Sequence, residues 1–100
     1  MVEVEFYRDK KGAACARGED QRLATFLETD LQEAVEVTSD LIALLSAGQE
    51  PGKFHGNGHC VTISPKTALI ESSFDEDAPD RRIERKILLK AVRKWLKFIS

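Results

Sequence analysis

The stretch from Phe54 to Phe74, FHGNGHCVTISPKTALIESSF, constrains the fold most, because it holds a turn whose chemistry fixes the register of two strands. Val61, Thr62 and Ile63 form a β-branched run, and Ala68-Leu69-Ile70 a second apolar run. Between them, Ser64-Pro65-Lys66-Thr67 is a turn signal, since proline pre-sets the φ of the second turn position. Folding back across this turn predicts Ile63 opposite Ala68, Val61 opposite Ile70 and Asn57 opposite Phe74. Alternation of strand side chains puts these residues on one apolar face and Cys60, Thr62, Leu69 and Glu71 on a mixed one. That pattern describes a sheet packed on one side only.

The rest of the chain arranges itself around this hairpin. Val2, Val4 and Phe6 alternate with Glu3, Glu5 and Tyr7 at strand period. Asp9-Lys10-Lys11-Gly12 reads as a tight turn, after which Ala13 to Arg17 returns as a second strand that brings Cys15 near Phe6. Gly18-Glu19-Asp20 ends this unit. From Leu23 to Leu45 the period becomes helical, with Leu23, Phe26, Leu27, Leu31, Ala34, Val35, Thr38, Leu41, Ile42 and Leu45 on the apolar side. Glu28, Asp30, Glu33, Glu36 and Asp40 mark the polar side. Asp30 and Glu33 have capping-box spacing, so the segment reads as one helix or as two interrupted at Thr29-Asp30. Gly48 suits a C-terminal cap, and Pro51-Gly52 prevents continuation. The last helix is predicted from Pro79 to Ile99, with Ile83, Ile87, Leu88, Ala91, Val92, Trp95, Leu96 and Ile99 as its stripe. Asp77 and Asp80 would complement its N-terminus. The order, strand-strand-helix twice, predicts an α+β fold: an antiparallel sheet of about four strands with helices packed on one face, in a single domain over residues 1–100.

Charge and composition narrow the function classes. Net charge is only −2 with 42% apolar residues, unlike a dedicated nucleic-acid binder or a disordered chain. No apolar run approaches the ~20 residues that span a bilayer. The acidic, alternating N-terminus is unlike a signal peptide, so Cys15 and Cys60 are expected to stay reduced, as small buried hydrophobes. Residues 1–50 carry 5 Lys/Arg against 11 Asp/Glu, net −6, and residues 51–100 carry 10 against 6, net +4. Residues 81–97 hold eight basic side chains and one acid, Glu84, the chain's single nucleic-acid-like feature. His55, His59 and Cys60 invite a metal reading, but the local ligand count is too low and the intervening glycines oppose the helix on which an i, i+4 histidine pair would converge. Gly56-Asn57-Gly58 lacks the Lys-Ser/Thr and helix N-terminus of a phosphate loop and reads instead as a bulge or bend. Ser64, Ser72 and Ser73 lack a nucleophile elbow. The sequence therefore reads as a non-enzymatic protein with no cofactor and no bound metal.

Several short features, in their order, resemble the small immunity proteins of bacterial contact-dependent growth inhibition and related polymorphic toxin systems. They are the opening strand followed by Arg8-Asp9 and a glycine turn, the segment Phe26-Leu27-Glu28-Thr29-Asp30-Leu31-Gln32 at a helix start, Gly56-Asn57 before a strand, and Trp95-Leu96-Lys97-Phe98 near the C-terminus. An aromatic commonly precedes that Gly-Asn pair directly; here His55 intervenes after Phe54. The resemblance implies a cytoplasmic inhibitor that binds the toxin domain delivered by a neighbouring cell, commonly a nuclease with a basic cleft. An acidic surface would complement such a cleft and speed encounter. Two surfaces qualify: the loop with Glu71, Asp75, Glu76 and Asp77, preferred because Glu71, Asp75 and Glu76 lack a structural role, and the helix face with Glu33, Glu36 and Asp40. The competing classes are a small nucleic-acid-binding protein using the basic C-terminal helix and a homodimeric structural protein.

Overall fold

The structure, a computed structural model, describes residues 4–73 and 80–100. It opens with a hairpin of β1 (Val4–Arg8) and β2 (Ala14–Gly18). Its turn forms because the Asp9 carboxylate accepts from the backbone N–H groups of Lys11 (2.8 Å) and Ala13 (2.9 Å), while Gly12 takes a φ of 83° that an L side chain rarely adopts. Tyr7 pairs with Cys15 and Phe6 with Ala16. Cys15 thus shares a face with Tyr7, not with Phe6 as expected. The alternation buries Ala14 and Ala16 and leaves Cys15 half-exposed. Small residues on the inner face let α1 approach the hairpin closely. Cys60 is also half-exposed, so neither thiol is the buried hydrophobe that was expected.

The helical stretch divides into α1 (Gln21–Asp30) and α2 (Val35–Leu45). Asp20 caps α1 by accepting from the Leu23 N–H at 3.1 Å. The break follows Asp30 rather than preceding it, and the capping box does not form: Ala34 occupies the N-cap of α2 without a side-chain hydrogen bond. Asp30 turns inward instead, its carboxylate buried, and accepts from the Gly58 N–H at 3.0 Å. Glu33 lies in the connection with a φ of 53°, off either helix.

The second half is a four-stranded antiparallel meander, β3 (Gly52–His55), β4 (His59–Ile63), β5 (Thr67–Ser72) and β6 (Arg81–Glu84), followed by α3 (Arg85–Ile99). Ile63 pairs with Ala68 and Val61 with Ile70, the register that the Pro65 turn predicts. Asn57 lies in the β3–β4 turn rather than in a strand, where the Gly56 N–H donates to the His59 carbonyl at 2.8 Å; its expected partner Phe74 lies outside the described residues. The expected helix start at Pro79 is also corrected among the residues described. Arg81 to Glu84 pair with Thr67 to Ile70 as a strand, so α3 begins at Arg85, and exposed Asp80 precedes a strand instead of capping a helix. The free edge of β5 offers this segment a ladder of backbone hydrogen bonds that the frayed first turn of a helix cannot match.

The fold class is α+β, with three helices and two antiparallel sheets among the described residues. Phe54, His59, Val61, Ile63, Ala68, Ile70 and Ile83 form the buried face of the meander, and all three helices lie on that side. Trp95 joins the layers. It is fully buried, its indole N–H donates to the Leu31 carbonyl at 2.8 Å, and its ring meets Phe6 edge-on at 5.1 Å. Among the described residues no helix is long and apolar enough to cross a membrane.

Candidate partner-binding surface

α2 is held at both ends. Before its N-terminus, Trp95 binds the Leu31 carbonyl and Asp30 ties the α1 end to the β3–β4 turn. Glu33 accepts from Arg8 Nη1 (2.7 Å) and from the Ala14 N–H (3.1 Å). At the C-terminus, buried Arg85 donates from Nη2 to the Leu44 carbonyl (2.9 Å) and from Nε to the Leu45 carbonyl (3.1 Å), two of the last carbonyls of the helix, where intrahelical donors run out; Leu44 otherwise has a long contact from the Ala47 N–H (3.4 Å). The inner side of α2 buries Thr38, Leu41 and Leu45. Thr38 satisfies its hydroxyl on the Ala34 carbonyl at 2.6 Å.

Helical spacing then places Glu36, Ser39, Asp40 and Ala43 along the outer side, with Val35 and Val37 at its two margins. Val35 and Val37 are 41% and 40% exposed, and no other large hydrophobic is exposed among the described residues. Glu36 and Asp40 are like charges at i, i+4, which costs a few tenths of a kcal/mol (~0.2–0.5) in a helix that carries no Lys or Arg to offset it. Glu36 recovers part of that by lying in the first turn, at the positive end of the helix dipole. The result is a rigidly placed acidic stripe with apolar margins.

The predicted acids do not form one site. Glu36 and Asp40 share the α2 stripe. Glu33 does not: its carboxylate is engaged by Arg8 and Ala14, and the Arg8 hydrogen bond, ahead of the Ala14 N–H, holds its pKa below the usual glutamate value. Asp30, read as a polar-face residue, is buried. Glu28 is half-buried and accepts from the Ala16 N–H at 2.9 Å. Glu71 is half-buried on the open face of the meander, opposite Cys60 and away from the helices. Asp75, Glu76 and Asp77 lie outside the described residues.

The histidines and Cys60 separate. His55 and Cys60 meet on the open face of the sheet, with Sγ 3.7 Å from Nδ1, while His59 points into the core. Adjacent strand residues face opposite ways, so these three side chains cannot converge on one ion. His59 has its own chemistry. Arg22 can only donate, so its Nη1 at 3.2 Å makes His59 Nε2 an acceptor, which in the neutral ring places the proton on Nδ1, 3.5 Å from Asp30 Oδ1. This resembles the acid and base of a hydrolytic triad, yet Nε2, the atom that would take a nucleophile's proton, is occupied by Arg22. The group works as a clamp between α1 and the β3–β4 turn. Sequence reading missed it, because a buried Asp at helical spacing gives no signal of its own.

On α3, Lys86, Lys90, Arg93, Lys94 and Lys97 are all exposed, opposite the buried stripe of Leu88, Val92, Trp95 and Ile99. Among the described residues Lys86 alone of these five has a carboxylate within ion-pair reach, Glu84 at 3.9 Å, so the acids of α2 do not neutralise this face although the two helices pack together.

The chain matches no family model, no curated protein and no solved structure.

Proposed function

We propose that this protein is a non-enzymatic inhibitor, an immunity protein of a contact-dependent growth inhibition system that acts in the cytoplasm. It neutralises a cognate toxin domain, a nuclease with a basic cleft, by covering that cleft with an acidic surface. The observation that carries the reading is the outer side of α2, where exposed Val35 and Val37 flank uncompensated Glu36 and Asp40. Apolar anchors within a charged setting suit a protein partner: the valines supply area that leaves water, and the acids supply steering and register. The resemblance of the chain's ordered short features to immunity proteins supports the same class. Glu71, with the acids Asp75, Glu76 and Asp77 that follow it in sequence, is the proposal's second acidic candidate.

The test uses the toxin domain encoded next to this protein's gene. Glu36→Gln with Asp40→Asn should slow association roughly tenfold at low salt, with the difference shrinking at high salt. Val35→Ser with Val37→Ser should act on the off-rate instead. Neutralising Glu71, Asp75 and Glu76 together reports on the loop. If protection of cells and association rates survive both acidic variants, the acidic-surface mechanism is wrong.

The five exposed cations of α3 favour a second reading, nucleic-acid binding. Lys86→Gln, Lys90→Gln and Lys94→Gln together should abolish binding to bulk RNA on that reading and leave toxin binding intact on the first.

A further inference from the structure

The C-terminal end of α2, the β4–β5 turn and the first half of α3 enclose a cleft of about 700 Å³. This is within the size range of small-molecule sites. Its apolar lining comes from Leu45, Pro65 and Leu89, and Lys66, Lys86 and Arg93 stand at its margin. Among the described residues Glu84 is its single acid, and it pairs loosely with Lys86 at 3.9 Å.

Arg85 also lines the cleft, and its situation points to a ligand. The residue is 4% exposed, and its guanidinium donates to three carbonyls: Leu44 and Leu45 at the end of α2, and Ser64 at 3.2 Å. Among the described residues no carboxylate lies within ion-pair distance of it. A buried cation is ordinarily paired, because removal from water is costly and neutral acceptors return only part of that cost. The negative end of the α2 dipole supplies about half a charge at most. The cleft therefore keeps a positive potential beside an apolar wall, and a guanidinium has five N–H donors, of which three are directed at those carbonyls.

We propose that this cleft binds a small organic anion, a carboxylate or sulfonate carried on an apolar body. The acid group lies towards Arg85 and Arg93, and the body lies against Leu45, Pro65 and Leu89. The site is independent of the acidic face of α2 and of the toxin it is proposed to meet, since none of its lining residues belongs to that stripe.

A matched pair of fluorescent probes separates charge from greasiness: anilinonaphthalene sulfonate, and phenylnaphthylamine, which has the same rings without the acid. With the folded full-length protein, the sulfonate should bind saturably at one site per chain, at least tenfold more tightly than the neutral analogue. Lys66→Gln with Arg93→Gln, both exposed, should weaken the sulfonate about tenfold and leave the neutral probe unchanged. Leu89→Glu, which puts a competing carboxylate in the cleft, should abolish sulfonate binding while circular dichroism stays that of the wild type. Equal affinity for the two probes, indifference of the sulfonate to Lys66→Gln with Arg93→Gln, or no saturable binding at all would each overturn the proposal. Wild-type toxin binding by the Leu89→Glu chain is expected, which keeps a failure here distinct from a failure of the inhibitor reading.

Discussion

Trp95→Ala is the most searching test of how this fold is held together. The side chain is fully buried and fastens α3 to the first half of the chain, touching Phe6 in β1 and the Leu31 carbonyl between α1 and α2. Truncating a large buried aromatic costs about 3–5 kcal/mol through lost transfer energy and the cavity left behind. Two features place this site in the upper part of that range. The edge-on pair with Phe6 contributes about 0.5–1.5 kcal/mol beyond burial. The hydrogen bond to Leu31 contributes about 1 kcal/mol, and its loss leaves that carbonyl, among the described residues, with the longer 3.3 Å contact from the Ala34 N–H. A loss near 4 kcal/mol is a large share of the ~5–15 kcal/mol by which such domains are stable. With a urea slope of about 1.5 kcal/mol per M, the midpoint should fall by about 2.5–3 M. Trp95→Phe keeps most of the ring and loses the donor, so it should cost about 1–2 kcal/mol. Trp95 is the single tryptophan, so unfolding must be followed by circular dichroism rather than by indole fluorescence. A Trp95→Ala midpoint within about 0.5 M of wild type, less than about 1 kcal/mol at that slope, would refute this account of the core.

Three further outcomes follow from other sites. Gly56→Ala should destabilise by about 1–3 kcal/mol in urea melts, because a Cβ there collides with the buried Asp30 carboxylate; a neutral effect would mean that the α1 clamp is looser than drawn. Arg85→Met should cost about 2–4 kcal/mol, since three carbonyls lose charge-assisted donors at a buried position, and the same melts check it. Glu33 has a pKa lowered by Arg8, so its stabilisation is present above the usual glutamate pKa near 4.5 and is lost as pH falls through the lower folded value. Glu33→Gln should therefore flatten the acid side of the stability profile, and parallel wild-type and variant profiles below pH 5 would exclude that role.

How much of this could be read from the chain differs by element, for physical reasons. The Pro65 turn and the Asp9–Gly12 turn were legible because their residues act on backbone torsions within a few positions. The register of β4 and β5 followed, since a turn and alternating side chains leave one pairing that buries Val61 and Ile63. The α3 stripe was legible because fifteen residues display a full helical period. Arg81 to Glu84 was misread as helix because four residues are too few to show a period, and Ile83 is buried under either one. What turned it into a strand was the unpaired edge of β5, which is not local to it.

The charged residues divide in the same way. Sequence periodicity gives the angle at which a side chain leaves its helix, and so Glu36, Asp40 and the α3 lysines were rightly placed in solvent. It does not say whether a distant backbone donor or acceptor waits at that angle. Asp30 met the Gly58 N–H and Glu33 met Arg8 and Ala14, so two residues that read as surface acids became fastenings, and Arg85, one of the eight basic side chains of residues 81–97, met the end of α2. Local propensity and period thus determined the β1–β2 and β4–β5 hairpins, their turns and the apolar stripe of α3. Only the tertiary arrangement decided which charges were consumed in closing the structure and which, along α2 and around the cleft at Arg85, were left available to bind, because that depends on unpaired backbone groups tens of residues away.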